Sequence, residues 1–252
     1  MEATPGDRLL STDTRRIDDV VDTTRYPLAQ PGSEPWRAAV TAVRDDLAVD
    51  GCSVLAGFVR PDAVESLRRE GEQVAPLAYD AVEVVNAYNL DAEVAAGLPE
   101  GHPGRLAFER GNAFVPWDRI PAHLAVHRLY ASPLVQGFVA ACVGLPEVHP
   151  LADPLAGLTV NVVRPGRAHP WHFDTNEFSV SLLTQQDERK NIIIAGINLK
   201  SAERLNRCRV GITRVNCYVI GTGAKALAIT GPCIVQPGDP GITGDIGINR
   251  AD

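Results

Sequence analysis

The stretch Gly157–Gln186 sets a short polar triplet between two apolar runs, and this pattern constrains the fold more than any other in the chain. Residues Leu158 to Val163 predict one strand, because Val and Thr favour a pleated, half-buried surface. Pro165-Gly166 predicts a turn, and Phe178 to Leu183 predicts a second strand. The sequence therefore predicts two strands whose connection carries the triplet His172-Phe173-Asp174.

The triplet offers two metal-binding side chains. His172 and Asp174 are two residues apart, so on a strand their side chains point to the same face. One imidazole and one carboxylate are two of the three ligands of the facial triad that holds non-haem Fe(II). A polar surface turn is the alternative reading of such a triplet. The strands on either side, the turn and Trp171 favour a metal site at the mouth of a β-barrel.

The run NVVRPGRAHPWHFDTNEFSVSLL resembles the Fe(II)/2-oxoglutarate-dependent oxygenases, in the branch of free-amino-acid hydroxylases and related radical halogenases. The resemblance covers about residues 35–186. It implies a mainly β fold with flanking helices, built on a double-stranded β-helix (jelly-roll) core, either complete or incomplete. It also implies Fe(II) bound by His172 and Asp174, 2-oxoglutarate as co-substrate, and a small-molecule substrate such as an amino acid.

Two features of that branch bear on the site. Its halogenases replace the carboxylate ligand with a small residue, so Asp174 indicates hydroxylation. The branch also uses a histidine three residues before the metal-binding one in its substrate pocket, and His169 matches that position. We predict His169, Trp171 and Asn161 as substrate-binding residues.

The resemblance accounts for two of the three protein ligands of the metal site. The family supplies a second histidine from a late strand, and no histidine follows Asp174 here. The basic residue that pairs with 2-oxoglutarate is also unmatched; Arg209, Arg214 and Lys225 are candidates. A catalytically incompetent remnant, or a binding protein of the same fold, is therefore the alternative to an active dioxygenase.

Composition changes abruptly after Gln186. Residues 1–186 contain two Ile and thirteen of the fourteen aromatic residues, whereas residues 187–252 contain eleven Ile. This indicates a different origin for the tail. We divide the chain into a loose N-terminal arm (1–32), oxygenase-like helices with the first part of a jelly roll (33–186), and a β-rich tail (187–252).

The tail run GPCIVQPGDPGITGDIGI resembles the closing strands of the metal-dependent aldolases that cleave 4-hydroxy-4-methyl-2-oxoglutarate. A lyase function in the tail is a third reading. It would need an acid-rich metal pocket, which Asp239 and Asp245 alone do not make. A hairpin with turns at Pro237-Gly238 and Pro240-Gly241 is the simpler interpretation.

Helices are predicted on both sides of the first strands. Ser33 as N-cap and Gly51 as terminator bound the first helix, and a strand-like run follows from Cys52 to Val59. A second helix extends to Val74. Two more helices are predicted at 121–130 and 133–143, with His123 and His127 on a solvated face of the former.

The net charge and the cysteine content limit which partners and which cellular compartment we expect. The formal net charge of −7 argues against nucleic acid, which needs a basic surface. No apolar run reaches the ~18 residues of a membrane span, and the first residues lack the apolar core of a secretory signal. Five cysteines without a C-x-x-C pair are typical of reduced thiols in the cytoplasm.

Overall fold

The computed structural model describes residues 17–170, 172–174, 178–186, 192–201, 212–214, 227–230 and 232–233. Its α-helices are α1 (Glu34–Asp50), α2 (Val64–Val74), α3 (Ala92–Ala96), α4 (Ala125–Ala131) and α5 (Pro133–Cys142). Its strands are β1 (Cys52–Leu55), β2 (Tyr79–Asp80), β3 (Glu83–Asn86), β4 (Ala107–Arg110), β5 (Ala113–Val115), β6 (Val148–Pro150), β7 (Leu158–Val163), β8 (Phe173–Asp174), β9 (Ser179–Gln185), β10 (Ile192–Ile197), β11 (Leu199–Ser201), β12 (Ile212–Arg214), β13 (Leu227–Thr230) and β14 (Pro232–Cys233). None of these helices combines the length and apolar character needed to cross a bilayer.

The largest sheet has seven strands in the order β1-β13-β9-β10-β7-β5-β2, and each neighbouring pair is antiparallel. Strand β10 lies near its centre, with Ile197 opposite Leu158 in β7 and Val180 in β9. Smaller sheets join β11 to β6, β14 to β12 and β8, and β3 to β4. The fold is thus mainly antiparallel β with flanking helices, as predicted from the sequence. It is compatible with a jelly-roll core, whose closure stays a prediction.

One face of this sheet is buried against helices. Val160, Ile193 and Ala195 alternate toward that side and are almost completely buried. Helix α2 comes so close that a Cβ on Gly71 would lie 3.1 Å from Cγ2 of Ile193. Burying each large aliphatic side chain contributes about 1.5–3 kcal/mol, so this layer supplies much of the stability.

The opposite face of the sheet is lined by a different row of residues. Asn161 on β7, Ile194 on β10 and Leu183 on β9 are direct neighbours in the register. Leu183 and Ala228 form a small buried cluster of their own, with Ile194 packed against it. The side chains of this face are more polar near β7, which makes it the candidate side for a ligand.

The first helix begins and ends where the sequence predicts. Oγ of Ser33 accepts a hydrogen bond from the Trp36 amide at 3.3 Å, and Gly51 takes a left-handed conformation with φ of 68°. Helix α4, by contrast, begins at Ala125 rather than at residue 121. The carboxylate of Glu70 accepts the Ala125 amide at 2.7 Å, so a contact from another helix sets this start.

Both ends of the described chain belong to the same structure. Residues 17–32, predicted as a loose arm, contribute Ile17, Val21 and Leu28 to the buried core. That prediction is therefore wrong for these residues, because their apolar side chains are spaced too irregularly to be recognised as a packed segment. Beyond Gln186, β10 and β13 pair with strands that precede it. The different origin of the tail stays a prediction.

Replacing Ile193 by Ala tests whether the tail is an integral part of the core. Ile193 is 0% exposed, and truncating such a residue to Ala costs about 2–5 kcal/mol. We expect the free energy of unfolding in urea to fall by that amount. The control is Val49→Ala on α1, 82% exposed, which should stay within about 0.5 kcal/mol of the parent. Equal, small effects of both substitutions would show that β10 is dispensable.

Candidate metal and substrate site

His172 is held in one tautomer by a hydrogen bond to its own segment. Its Nδ1 lies 2.8 Å from the carbonyl oxygen of Pro170. A carbonyl oxygen can only accept, so Nδ1 carries the proton and Nε2 keeps its lone pair. Metal-binding histidines usually donate their second ring nitrogen in this way. The half-buried imidazole of His172 therefore has the protonation pattern of a ligand.

The carboxylate partner is placed by its backbone. Strand β8 starts directly after His172 and pairs with β12, where Asp174 lies opposite Thr213. The side chain of Asp174 and the whole of Trp171 are not among the parts of the chain that the structure describes. Of the candidate partners for 2-oxoglutarate, Arg209 and Lys225 also lie outside the described residues. The predictions for these residues stay predictions.

His169 lies directly beside His172. The centroids of the two imidazole rings are 4.4 Å apart, and their planes meet at 70°. Both rings are half-buried. Two of the predicted site residues are thus brought into direct ring contact.

The turn that leads to this histidine pair is tied to the rest of the protein by two ion pairs. Arg164 donates to both carboxylate oxygens of Asp80 at 2.7 and 2.8 Å, and Arg167 donates to Glu109 at 2.8 Å. The hydrogen bonds from Arg164 hold the pKa of the Asp80 carboxyl below its usual range. Exposed pairs contribute little to stability, but their geometry fixes where the turn lies.

A backbone contact holds the last residue before His169. The Gly111 amide donates to the Ala168 carbonyl at 2.9 Å. A glycine leaves room for Arg167 here, since a Cβ at position 111 would lie 2.6 Å from Cδ and 3.2 Å from Cβ of Arg167, which would have to shift. Position 168 is therefore anchored to the segment between β4 and β5.

Asn161 contacts a residue that sequence reasoning missed. Nδ2 of Asn112 donates to Oδ1 of Asn161 at 2.8 Å, which leaves the Asn161 amide group as a donor. Oδ1 of Asn112 is shielded from solvent and has no hydrogen-bond partner among the described residues. Asn112 carried no sequence signal, because its contact joins positions 49 residues apart.

The described side chains include no group of three or more His, Cys, Asp or Glu that could hold a metal ion. That search does not extend to Asp174, whose side chain is not described. His172 and His169 supply nitrogen donors of the kind that Fe(II) and similar ions accept. The residues present therefore fit a transition metal, with Asp174 as the expected oxygen ligand.

His127 has a structural role rather than lying on a solvated face. Nε1 of Trp117 donates to Nε2 of His127 at 3.0 Å, and burial lowers the pKa of His127 below 6.5. His123 lies before α4 and is exposed. The two histidines do not share a helix, because the helix starts after His123.

The His127→Gln variant should lose part of the pH dependence of stability. Because the folded pKa of His127 is lowered, its stabilising contribution is complete above pH 6.5 and declines as pH falls toward the folded pKa. Gln keeps an acceptor for the indole but does not titrate. We expect a smaller fall in the free energy of unfolding between pH 7.5 and 5.5, measured with urea. His123→Gln serves as the control and should retain the parental pH dependence; identical profiles for both variants would contradict the assignment.

Comparison with known proteins gives a distant structural likeness. No protein-family profile matches the chain, and no curated protein is detectably similar to it. Ten chains of known structure do match, among them the crystal structure of a Pseudomonas putida prolyl-4-hydroxylase. The identity is 17%, the match covers 77% of this chain and 88% of the other, and the TM-score is 0.40. This likeness is too distant to support an argument about the site.

Proposed function

We propose that the chain is a non-haem Fe(II)- and 2-oxoglutarate-dependent dioxygenase that hydroxylates a small substrate, with amino acids as the substrate class. His172 and Asp174 are the proposed iron ligands. The sequence around this triplet and its resemblance to the amino-acid hydroxylases suggest the reaction. The proposal places the protein among enzymes with a small-molecule partner rather than a nucleic acid or a membrane.

The observation that carries the proposal is the orientation of His172. The hydrogen bond from Nδ1 to the Pro170 carbonyl, 2.8 Å long, leaves Nε2 as the only basic nitrogen of the ring. Metal-binding histidines usually have their second ring nitrogen held in this way by a backbone carbonyl or a carboxylate. This supports the interpretation of the triplet as a metal site over its interpretation as a polar surface turn.

The asparagine pair supports a small polar substrate. Oδ1 of Asn112 is a buried acceptor without a partner among the described residues. An acceptor left unpaired costs about 1–3 kcal/mol, and a bound donor such as an ammonium group would offset that cost. The neighbouring Asn161 amide is a donor suited to a carboxylate. One donor and one acceptor side by side match the two charged groups of a free amino acid.

The residues of the chain position the metal and the reactants and do not carry out the oxidation themselves. When bound, iron and 2-oxoglutarate supply the oxidising chemistry, with succinate and carbon dioxide as co-products. His172 would contribute its Nε2 lone pair, while its Nδ1 keeps its proton and donates it in a hydrogen bond to the Pro170 carbonyl. The ion pairs of Arg164 and Arg167 hold the turn, so that the ligands need not be ordered when the metal binds.

Anaerobic titration of the full chain with Fe(II) in the presence of 2-oxoglutarate tests the function. We expect the weak visible absorption band that 2-oxoglutarate produces on chelating Fe(II), followed by succinate release when oxygen and an amino acid are added. His172→Ala and Asp174→Ala should lose both signals. The control is Asp91→Ala, an exposed carboxylate before α3, which should keep them.

The outcomes separate the enzyme from its alternative. A saturable band with succinate release supports the dioxygenase. A band without succinate release for any of the twenty amino acids would contradict an amino-acid hydroxylase and favour a binding protein of the same fold. No band at millimolar iron would overturn the function altogether.

Replacing Asn161 by Ala tests the substrate side of the site. Loss of a substrate hydrogen bond of about 1–3 kcal/mol should raise KM roughly 5- to 150-fold. Iron and 2-oxoglutarate binding should not change, because Asn161 is not a proposed ligand. Thr159→Val, two residues earlier on the same face of β7, is the matched control. An unchanged KM in the Asn161 variant would exclude this residue from the substrate pocket.

A further inference from the structure

We propose that His169 is the second imidazole ligand of the metal site. His169, His172 and Asp174 would then hold a divalent transition metal from within a single six-residue segment. Two nitrogens and one carboxylate oxygen suit Fe(II), Co(II) and Zn(II). The inference rests on the proposed function for the identity of the site, and it names the ligand that the sequence leaves missing.

The distance between the rings is compatible with ligation of one metal ion by both imidazoles. A metal–nitrogen distance of about 2.1 Å puts the centroid of a ligating imidazole about 3.2 Å from the metal. Two such rings at neighbouring positions of an octahedral ion therefore have centroids about 4.6 Å apart. The observed separation of 4.4 Å agrees with this value. With 70° between the planes, the edge of one ring meets the other ring, and the two ring faces do not stack.

The anchoring of the turn fixes the backbone that leads to His169. The Ala168 carbonyl accepts from the Gly111 amide, and Arg167 is paired with Glu109. The two residues before His169 are therefore tied to β4 and the segment after it. The segment reaches the metal already in place, and the conformational entropy of ordering it does not oppose metal binding.

The remaining histidines have other positions. His102 accepts the Gly104 amide, His123 precedes α4, His127 accepts from Trp117, and His149 lies in β6 beside Glu147. No histidine follows His172 in the sequence. A second imidazole for this site is thus most directly supplied by the ring that already contacts His172.

The inference changes the role that the sequence predicts for His169. A substrate-pocket residue affects KM for the substrate and leaves metal affinity unchanged. A ligand affects metal affinity even when no substrate or 2-oxoglutarate is present. Metal binding to the protein alone therefore distinguishes the two roles without any turnover.

The test is Co(II) titration of the metal-free full chain, followed by calorimetry and by the visible absorption of the bound ion. The decisive variant is His169→Phe, which keeps an aromatic ring against His172 but offers no nitrogen. We expect at least a tenfold loss of Co(II) affinity and a changed visible spectrum. His149→Phe is the control, because His149 is about half exposed and lies beside Glu147 at 3.4 Å; it should bind like the parent. Circular dichroism confirms that each variant is folded.

Each outcome has a separate meaning. Parental affinity and spectrum in His169→Phe, with affinity lost in His172→Ala and Asp174→Asn, would overturn the inference and leave the proposed function standing. Co(II) binding that is insensitive to His172→Ala and Asp174→Asn, or no binding at millimolar Co(II), would overturn both. Loss in His169→Phe, His172→Ala and Asp174→Asn together establishes the three-ligand site.

Discussion

The burial of one face of the antiparallel sheet against the helices is the interaction on which the rest of the structure depends. Strand β10 is at the centre of this layer, between β9 and β7, and Ile193 reaches the close approach of α2 at Gly71. Because successive residues of a strand point to opposite faces, fixing this register also fixes which side chains face away from the helices. Asn161 on β7 faces away from the helices, where it meets Asn112, as a result of that register.

The candidate site combines very local and very distant constraints. The tautomer of His172 is set by a carbonyl two residues away, so it depends on little beyond the conformation of one short segment. The position of that segment depends on partners far away in the chain, since Arg164 pairs with Asp80 across 84 residues. Local chemistry and global placement are thus controlled by different parts of the protein. A substitution in β2 can move the site without touching any group that binds a ligand.

The sequence predicts those elements whose signals are local. Strand β7 has the predicted bounds, because a run of β-branched residues between turns is sufficient to mark it. Helix α1 is bounded by Ser33 and Gly51 as predicted, because caps act within one turn. The two-residue strand β2 and the role of Asn112 could not be predicted, since both arise only from pairing with remote strands. The pairing of His169 with His172 lies between these cases: the spacing marked both residues, but only the structure shows their rings in contact.

Within the described residues, strand β1 pairs with β13, so the strands of the seven-stranded sheet that come first and last in the chain are bonded to each other. Contacts between such distant segments make folding slow, because a long loop must close before they form. During synthesis, the strand that follows α1 leaves the ribosome long before its partner exists. Until then its unpaired backbone groups are an open edge of the kind that recruits other chains. The yield of folded protein should therefore depend on how long the nascent chain is kept from pairing with other chains. Once β13 has paired with β1, this protection is no longer needed.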